Sequence, residues 1–183
     1  PDTLVNDVMI PAIRRVGELY EAKTYFLPQI IASAEAMQKA FARLEPLIKK
    51  NGAGASKGRI LMATVKGDIH DIGKNIVILL LKNNGFEVID LGKDVPHEHI
   101  IMSMQEHHPD LVGLSALMTT TMVNMPEIIA KARAAGLSCP FMVGGAVVTE
   151  AYAHSIGAAY AKDGVEAVKV AETLISGART ARQ

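Results

Sequence analysis

Asp68 and His70 stand two residues apart in the run Lys66-Gly-Asp-Ile-His-Asp-Ile-Gly-Lys-Asn75, which is far more polar than the apolar segment before it. A neutral imidazole is a good ligand for a transition metal. A carboxylate beside it can take the proton on the other ring nitrogen, which fixes the tautomer and tunes the ligating nitrogen. Gly73 would let the chain turn, or let a following helix approach closely. On Asp-x-His spacing alone, a loop histidine satisfied by its aspartate with no metal is the commoner outcome, because short motifs match often by chance. A phosphate-binding loop is a weaker reading, since the spacing fits neither Gly-x-Gly-x-x-Gly nor the Walker pattern.

Two more runs carry unusual residue types. Ser115-Ala-Leu-Met-Thr-Thr-Thr121 gathers hydroxyls behind an apolar stretch. Helix capping and turn formation account for one or two of them. Val143-Gly-Gly-Ala146 sets two glycines where another apolar stretch ends. A tight turn explains the pair, and so does close backbone approach to a bulky planar ligand.

The elements that position these runs follow from periodicity. From Arg59 onward, short apolar runs alternate with helical stretches. Strands are expected at Ile60–Val65, Glu87–Leu91, Leu111–Leu114, Pro140–Val143 and, weakly, Ala158–Ala161. Helices are expected within Asp71–Asn84, at Pro96–His107, around Met122–Ala135, at Thr149–Ile156 and at Val165–Ile175. Such alternation predicts an α/β fold, a five-stranded parallel sheet of flavodoxin-like or Rossmann-like type flanked by helices on both faces. Ligands of these sheets bind beyond the carboxyl ends of the strands. The loops there are 66–73, 92–95, 115–121 and 144–148, so all three chemical runs fall on one edge of one sheet.

The first 50 residues have a different period. Leu4/Val5, Val8/Met9, Ile13, Val16 and Leu19/Tyr20 form one helical stripe, and Ile30, Ala34, Met37, Phe41, Leu44 and Ile48 a second. Pro11 is expected to kink the first helix, while Pro28 suits the opening turn of the second. Asn51-Gly-Ala-Gly-Ala-Ser56 reads as a flexible linker, giving a helical region over 1–50, a linker over 51–58 and a sheet domain over 59–183.

Composition narrows the function. The 19 basic and 19 acidic residues cancel, leaving no basic footprint for nucleic acid and no polybasic run for a membrane surface. No apolar run is long enough to span a bilayer, and no charged-then-apolar signal opens the sequence. With one cysteine, Cys139, neither an internal disulfide nor a thiolate metal cluster is expected, and a reducing cytoplasm is the natural setting. His97, His99, His107, His108 and His154 fall on expected helices or their starts and are assigned to no metal.

Taken in order, Asp68-x-His70-x-x-Gly73, Ser115-x-Leu117 and Gly144-Gly145 resemble the cobalamin-binding signature of corrinoid proteins. Thr64-Val-Lys-Gly-Asp-Ile-His-Asp-Ile-Gly-Lys-Asn-Ile-Val77 closely resembles the methyltransferase branch of that family. Val16-Gly-Glu-Leu-Tyr20, Phe26-Leu-Pro-Gln29 and Ser33-Ala-Glu-Ala-Met37 resemble its helical cap, so the resemblance covers nearly the whole chain.

The resemblance implies bound cobalamin, carried as methylcobalamin, with His70 as the lower axial ligand of cobalt in place of the cofactor's own base. It implies that Asp68 bonds His70 and that a hydroxyl at Thr121 completes a ligand relay; methionine synthases have serine there. Ser115 is expected to meet the displaced nucleotide tail, and Gly73, Gly144 and Gly145 to line its channel. Asp71, Leu117 and Thr119 are included among the cofactor-binding residues. Tyr20, Leu27 and Ile30 are expected to cover the upper, methyl-bearing face; phenylalanine is usual at Tyr20.

The implied function is the methyl-carrier module of a methionine synthase, moving methyl from methyltetrahydrofolate to homocysteine. The alternative within the family is a corrinoid protein of a methanol, methylamine or methoxy-aromatic methyltransferase system, where Leu117-Met-Thr-Thr-Thr-Met122 is also at home. A cobalamin-dependent sensor and a cobalt-free interaction domain are the alternatives from other classes. Expected partners are methyl-donor and methyl-acceptor methyltransferase domains or proteins and a reductive activation partner. The family cap is a four-helix bundle, so its earlier helices are expected upstream of Pro1. The module alone is expected to carry methyl without completing a catalytic cycle.

Overall fold

A computed structural model describes residues 4–26, 29, 32–33, 35–37, 39–40, 43–44 and 56–180. The chain divides into two compact units, residues 1–53 and 54–183.

In the first unit, one π-helical turn, Val5–Met9, leads directly into α1, Ile10–Glu21. Proline has no N–H to donate, and its ring presses on the carbonyl four residues earlier. For Pro11 that carbonyl belongs to Asp7, inside the π turn, so the expected irregularity takes the form of a locally widened helix. The described residues between Gln29 and Leu44 are all helical, and Met9, Met37 and Leu44 are buried. Leu27, Pro28, Ile30 and the linker residues Asn51 to Ala55 lie outside the described residues.

The second unit is the expected sheet. Its strands are β1 (Arg59–Thr64), β2 (Glu87–Asp90), β3 (Leu111–Ser115), β4 (Phe141–Gly144) and β5 (Ala159–Tyr160). All pairings are parallel, in the order β2-β1-β3-β4-β5. Between them run α2 (Ile72–Asn83), α3 (His97–His107), the short turn α4 (Thr119–Met122), α5 (Asn124–Ala134) and α6 (Glu150–Ser155). Helix α7 (Gly164–Thr180) follows β5.

Strand residues alternate between the two faces. Leu61, Ala63, Val65, Val112, Leu114, Phe141 and Val143 join Ile100 and Met104 of α3 and Met125, Ile128 and Ile129 of α5 in one core cluster. Ile60, Met62 and Met142 face the other way, where α2 and α7 pack against each other. Burial on both sides explains why β1 and β3 read as continuous apolar runs.

The chain leaves β1 towards β2 on one side and later enters β3 on the other. This reversal opens a crevice beyond the carboxyl ends of β1 and β3, and it brings the loops after those strands side by side. Several boundaries differ from the sequence reading. Ser115 and Gly144 are strand residues that pair with each other, because the ladder runs one residue further than the apolar runs do. Gly73 lies inside the first turn of α2, and Thr119 to Thr121 form a helical turn of their own.

Candidate cofactor site

The loop after β1 is tied to the loop after β2 before any side chain of the site is placed. Val65 bridges Val95, and Gly67, at φ +82°, donates its N–H to Asp94 Oδ1 at 2.7 Å. The Asp94 N–H donates to the Asp68 carbonyl at 3.0 Å. This clamp turns the Asp68 side chain inward, where it is fully buried.

Both carboxylate oxygens of Asp68 are used. Oδ1 accepts the His70 backbone N–H at 3.0 Å and lies 2.8 Å from His70 Nδ1. Oδ2 accepts the Leu117 N–H at 2.7 Å, the Thr121 hydroxyl at 2.7 Å and, longer, the Met118 N–H at 3.3 Å. Burial pushes the Asp68 carboxyl up, but the Thr121 hydroxyl, the Leu117 and His70 backbone N–H groups and the His70 imidazole outweigh it and hold it at about 2, below the usual 3.8. Asp68 is therefore a carboxylate and can only accept. His70 Nδ1 must carry the shared proton, which leaves a lone pair on Nε2 of the neutral ring. With the His70 side chain 46% exposed, that nitrogen is available to an incoming ligand.

The expected relay is thus present as geometry: His70, Asp68 and Thr121 form one hydrogen-bonded line, and Thr121 is the buried hydroxyl of its run. Thr119 and Thr120 are exposed. Asp71 stands outside the line; its carbonyl accepts the Asn75 N–H at the start of α2. Leu117 and Ile69 leave their side chains exposed, while the Leu117 and His70 backbone N–H groups donate to Asp68.

Ser115 sits in a row with Thr64 and Gly144, one residue from each of three neighbouring strands. Sequence reasoning passed over Thr64, whose buried hydroxyl finds no hydrogen-bond partner among the described residues. The glycines differ among themselves. A Cβ on Gly145, at φ +132°, would lie 1.9 Å from the Ala116 carbonyl oxygen, and one on Gly144 2.7 Å from that of Ala161. At both positions the protein's own backbone leaves no room for a side chain. Gly73 is the opposite case, since a Cβ there would meet nothing within 4 Å.

Lys74 was also missed. Its side chain is fully buried, with Nζ 2.5 Å from Asp90 Oδ1 and 2.9 Å from Asn75 Oδ1, pinning the first turn of α2 to the end of β2. In the first unit, Tyr20 lies in α1 with its side chain outside the described residues, as are Leu27 and Ile30.

Among the described residues, no three His, Cys, Asp or Glu groups converge on a metal position. A single braced imidazole suits a metal that brings most of its own ligands. The exposed apolar Ile69 and Leu117 beside it, the open space at Gly73 and the orphan hydroxyl of Thr64 fit a large macrocyclic ligand with a polar appendage. Fold and site together define a binding module for a corrinoid.

The comparisons agree. A family described as B12 binding domain matches residues 58–171, and a second of the same description matches residues 1–45. The chain belongs to the B12-binding domain family, and cobalamin is the cofactor. It is 38% identical to dimethylamine corrinoid protein 1 of Methanosarcina acetivorans, over 96% of this chain and 84% of that one. It is 37% identical to a methionine synthase of Mycobacterium leprae over 98% of this chain, which spans only 16% of that protein. Among solved structures, the monomethylamine corrinoid protein of Methanosarcina barkeri superposes with a TM-score of 0.77 at 38% identity, covering 88% of this chain and 77% of that one. A methanol:cobalamin methyltransferase complex from the same organism gives 0.65 at 34% identity, covering 96% of this chain and 67% of that one. The chain is a cobalamin-binding corrinoid protein. No helix among the described residues is long and apolar enough to cross a membrane.

Proposed function

We propose that this chain is a methyl carrier, with His70 Nε2 as the lower axial ligand of the corrinoid cobalt. The supporting observation is the half-exposed imidazole braced through Nδ1 by a buried carboxylate that four further hydrogen-bond donors hold in place. Bound cobalamin would supply a cobalt centre able to take up and give up a methyl group. Asp68 keeps the His70 proton on Nδ1, and Thr121 keeps Asp68 oriented. Ser115, Gly73, Gly144 and Gly145 are assigned to the channel for the nucleotide tail. Asp71, Leu117 and Thr119 belong to the surrounding contacts, and Tyr20, Leu27 and Ile30 to the cap over the upper face. The working units are a helical region over 1–50, a linker over 51–58 and a cobalamin domain over 59–183.

The carrier needs a methyltransferase that loads it, another that unloads it and a reductive activation partner, all in a reducing cytoplasm. Of the two methyl-transfer systems, we favour that of methylamines, methanol or methoxy-aromatics. Thr121 stands where methionine synthases have serine, and two curated relatives matched along 84% of their own length are dimethylamine corrinoid proteins. The methionine synthase reading, with methyltetrahydrofolate as donor and homocysteine as acceptor, draws on the Phe26-to-Gln29 and Ser33-Ala34 cap motifs and on a near-equal identity.

The test is the visible spectrum of the protein reconstituted with methylcobalamin, beside His70→Ala. An imidazole-ligated spectrum in the parent that becomes base-off in the variant is the expected result. Identical spectra would remove His70 from the cobalt. Demethylation by purified methylamine-type and methionine-synthase-type acceptor systems then separates the two readings.

A further inference from the structure

Behind the relay lies a second histidine with no part in the site so far. His97 opens α3 and is 7% exposed. Its Nε2 is 2.9 Å from Asn124 Oδ1. The Asn124 amide nitrogen donates to two carbonyls, that of Lys66 at 3.1 Å and that of Thr121 at 2.9 Å. Both amide protons are therefore spent, and Oδ1 can only accept. The proton between the two side chains must sit on His97 Nε2. On the other side of the ring, Nδ1 stands 3.4 Å from Glu127 Oε1. Lys131 pairs with that carboxylate and with Glu98, each at 3.1 Å. Glu127, Lys131 and Glu98 thus form a charged group beside the ring.

The two carbonyls belong to different parts of the cofactor site. Lys66 opens the loop that carries Asp68 and His70. Thr121 carries the hydroxyl that reaches Asp68 across 53 residues of sequence. Reversing the Asn124 amide would set an oxygen against both carbonyls, so the direction of this carboxamide decides whether the two segments are joined or repelled.

We propose that His97 is a positioning residue of the cofactor site: by donating from Nε2 to Asn124 it fixes the carboxamide that ties the Asp68–His70 loop to the Thr121 turn. It touches neither the cobalt ligand nor the carboxylate. It acts on His70 through Asn124, Thr121 and Asp68 in turn. The inference rests on the cofactor site proposed above only for its consequence, since the tie itself exists without cofactor.

The experiment compares His97→Leu, Asn124→Ala, the double variant and His97→Gln, whose amide can donate to the same oxygen. Amide hydrogen exchange in the cofactor-free protein reads the tie directly. Each single loss should speed exchange of the Asp68, His70, Leu117 and Thr121 amides by about tenfold, the effect of one buried hydrogen bond. The double variant should add nothing to either single, because one acts through the other. His97→Gln should recover most of the protection. With methylcobalamin bound, the imidazole-ligated fraction should fall in the same rank order.

Additive effects, or faster exchange spread evenly over the whole sheet, would show His97 to be an ordinary packed side chain and overturn the proposal. So would unchanged exchange in Asn124→Ala. A parent that shows the exchange pattern but takes up no methylcobalamin would refute the cofactor reading and leave the tie standing.

Discussion

Two corners of the crevice are built on opposite principles. At the corner between β1 and β3, Asp68 is surrounded by donors from the loops after both strands, and position is set by direction and charge. At the end of β4, Gly145 lets backbone pass against the segment after β3 and Gly144 against the segment after β5, and position is set by the absence of atoms. The first corner can be tuned by degrees, since each donor contributes separately to the carboxylate. The second has no intermediate setting, because a single methyl group lands on a carbonyl oxygen. On the proposed cofactor reading, the tunable corner would carry the metal ligand and the rigid one would form the wall of the tail channel.

The contrast is broken most severely by Gly145→Ala. The new Cβ would sit 1.9 Å from the Ala116 carbonyl oxygen at a φ of +132°. Overpacking costs about 1–3 kcal/mol and the unfavourable φ a similar amount, so a loss of about 4 kcal/mol is expected. Urea unfolding of the cofactor-free protein measures it. A loss below about 1 kcal/mol would mean that the Gly145 segment yields readily and the wall is not rigid.

Asp68→Ala should cost less, about 3 kcal/mol, because it strands the His70, Leu117 and Met118 backbone N–H groups but creates no clash, while the Thr121 hydroxyl keeps the Met118 carbonyl as an acceptor. The same unfolding curves report it. They should also show Asp68→Asn falling between the parent and the alanine variant, which is the graded response that the glycine corner lacks.

Acid gives the next largest effect, again confined to the carboxylate corner. The Asp68 carboxyl lies at about 2 in the folded chain against 3.8 as its ordinary value. A group depressed on folding stabilises the protein above its unfolded value and loses that contribution as pH falls through the folded one. About 2 kcal/mol should therefore disappear as the pH drops from about 4 to about 2. The stability difference between parent and Asp68→Asn should shrink over that window. A constant gap would mean that folding does not lower the Asp68 pKa.

The corners also differed in how far they could be read from the sequence. The five strands and their order of appearance followed from apolar runs, because a parallel sheet buried on both faces leaves few polar residues in its strands. Even the two-residue β5 had a trace in Ala158–Ala161. Asp68 and His70 were legible because their contact is local. Thr121 was not, since four hydroxyls in one run look alike until a strand pairing places one of them against a carboxylate 53 residues away. It came from the resemblance. The glycine pair was visible, but the reason for it, carbonyls of Ala116 and Ala161, is a fact of packing alone. Lys74 and His97 were missed on the same ground: nothing in a sequence distinguishes a lysine or histidine on an exposed helical turn from one buried beneath a neighbouring loop.

The smallest expected effect has the opposite sign and separates folding from binding. Gly73 lies in the first turn of α2, and a Cβ there meets nothing within 4 Å. A glycine inside a helix costs about 1 kcal/mol relative to alanine, so Gly73→Ala should make the cofactor-free protein more stable by up to about that amount. No steric reason internal to the fold keeps glycine at this position, unlike Gly145. If the open space is kept for the nucleotide tail, the same substitution should weaken cobalamin retention on a desalting column while raising the urea midpoint. A variant that gains stability and retains cobalamin as well as the parent would place the tail elsewhere, and would leave the channel to be sought along Thr64 and Ser115 alone.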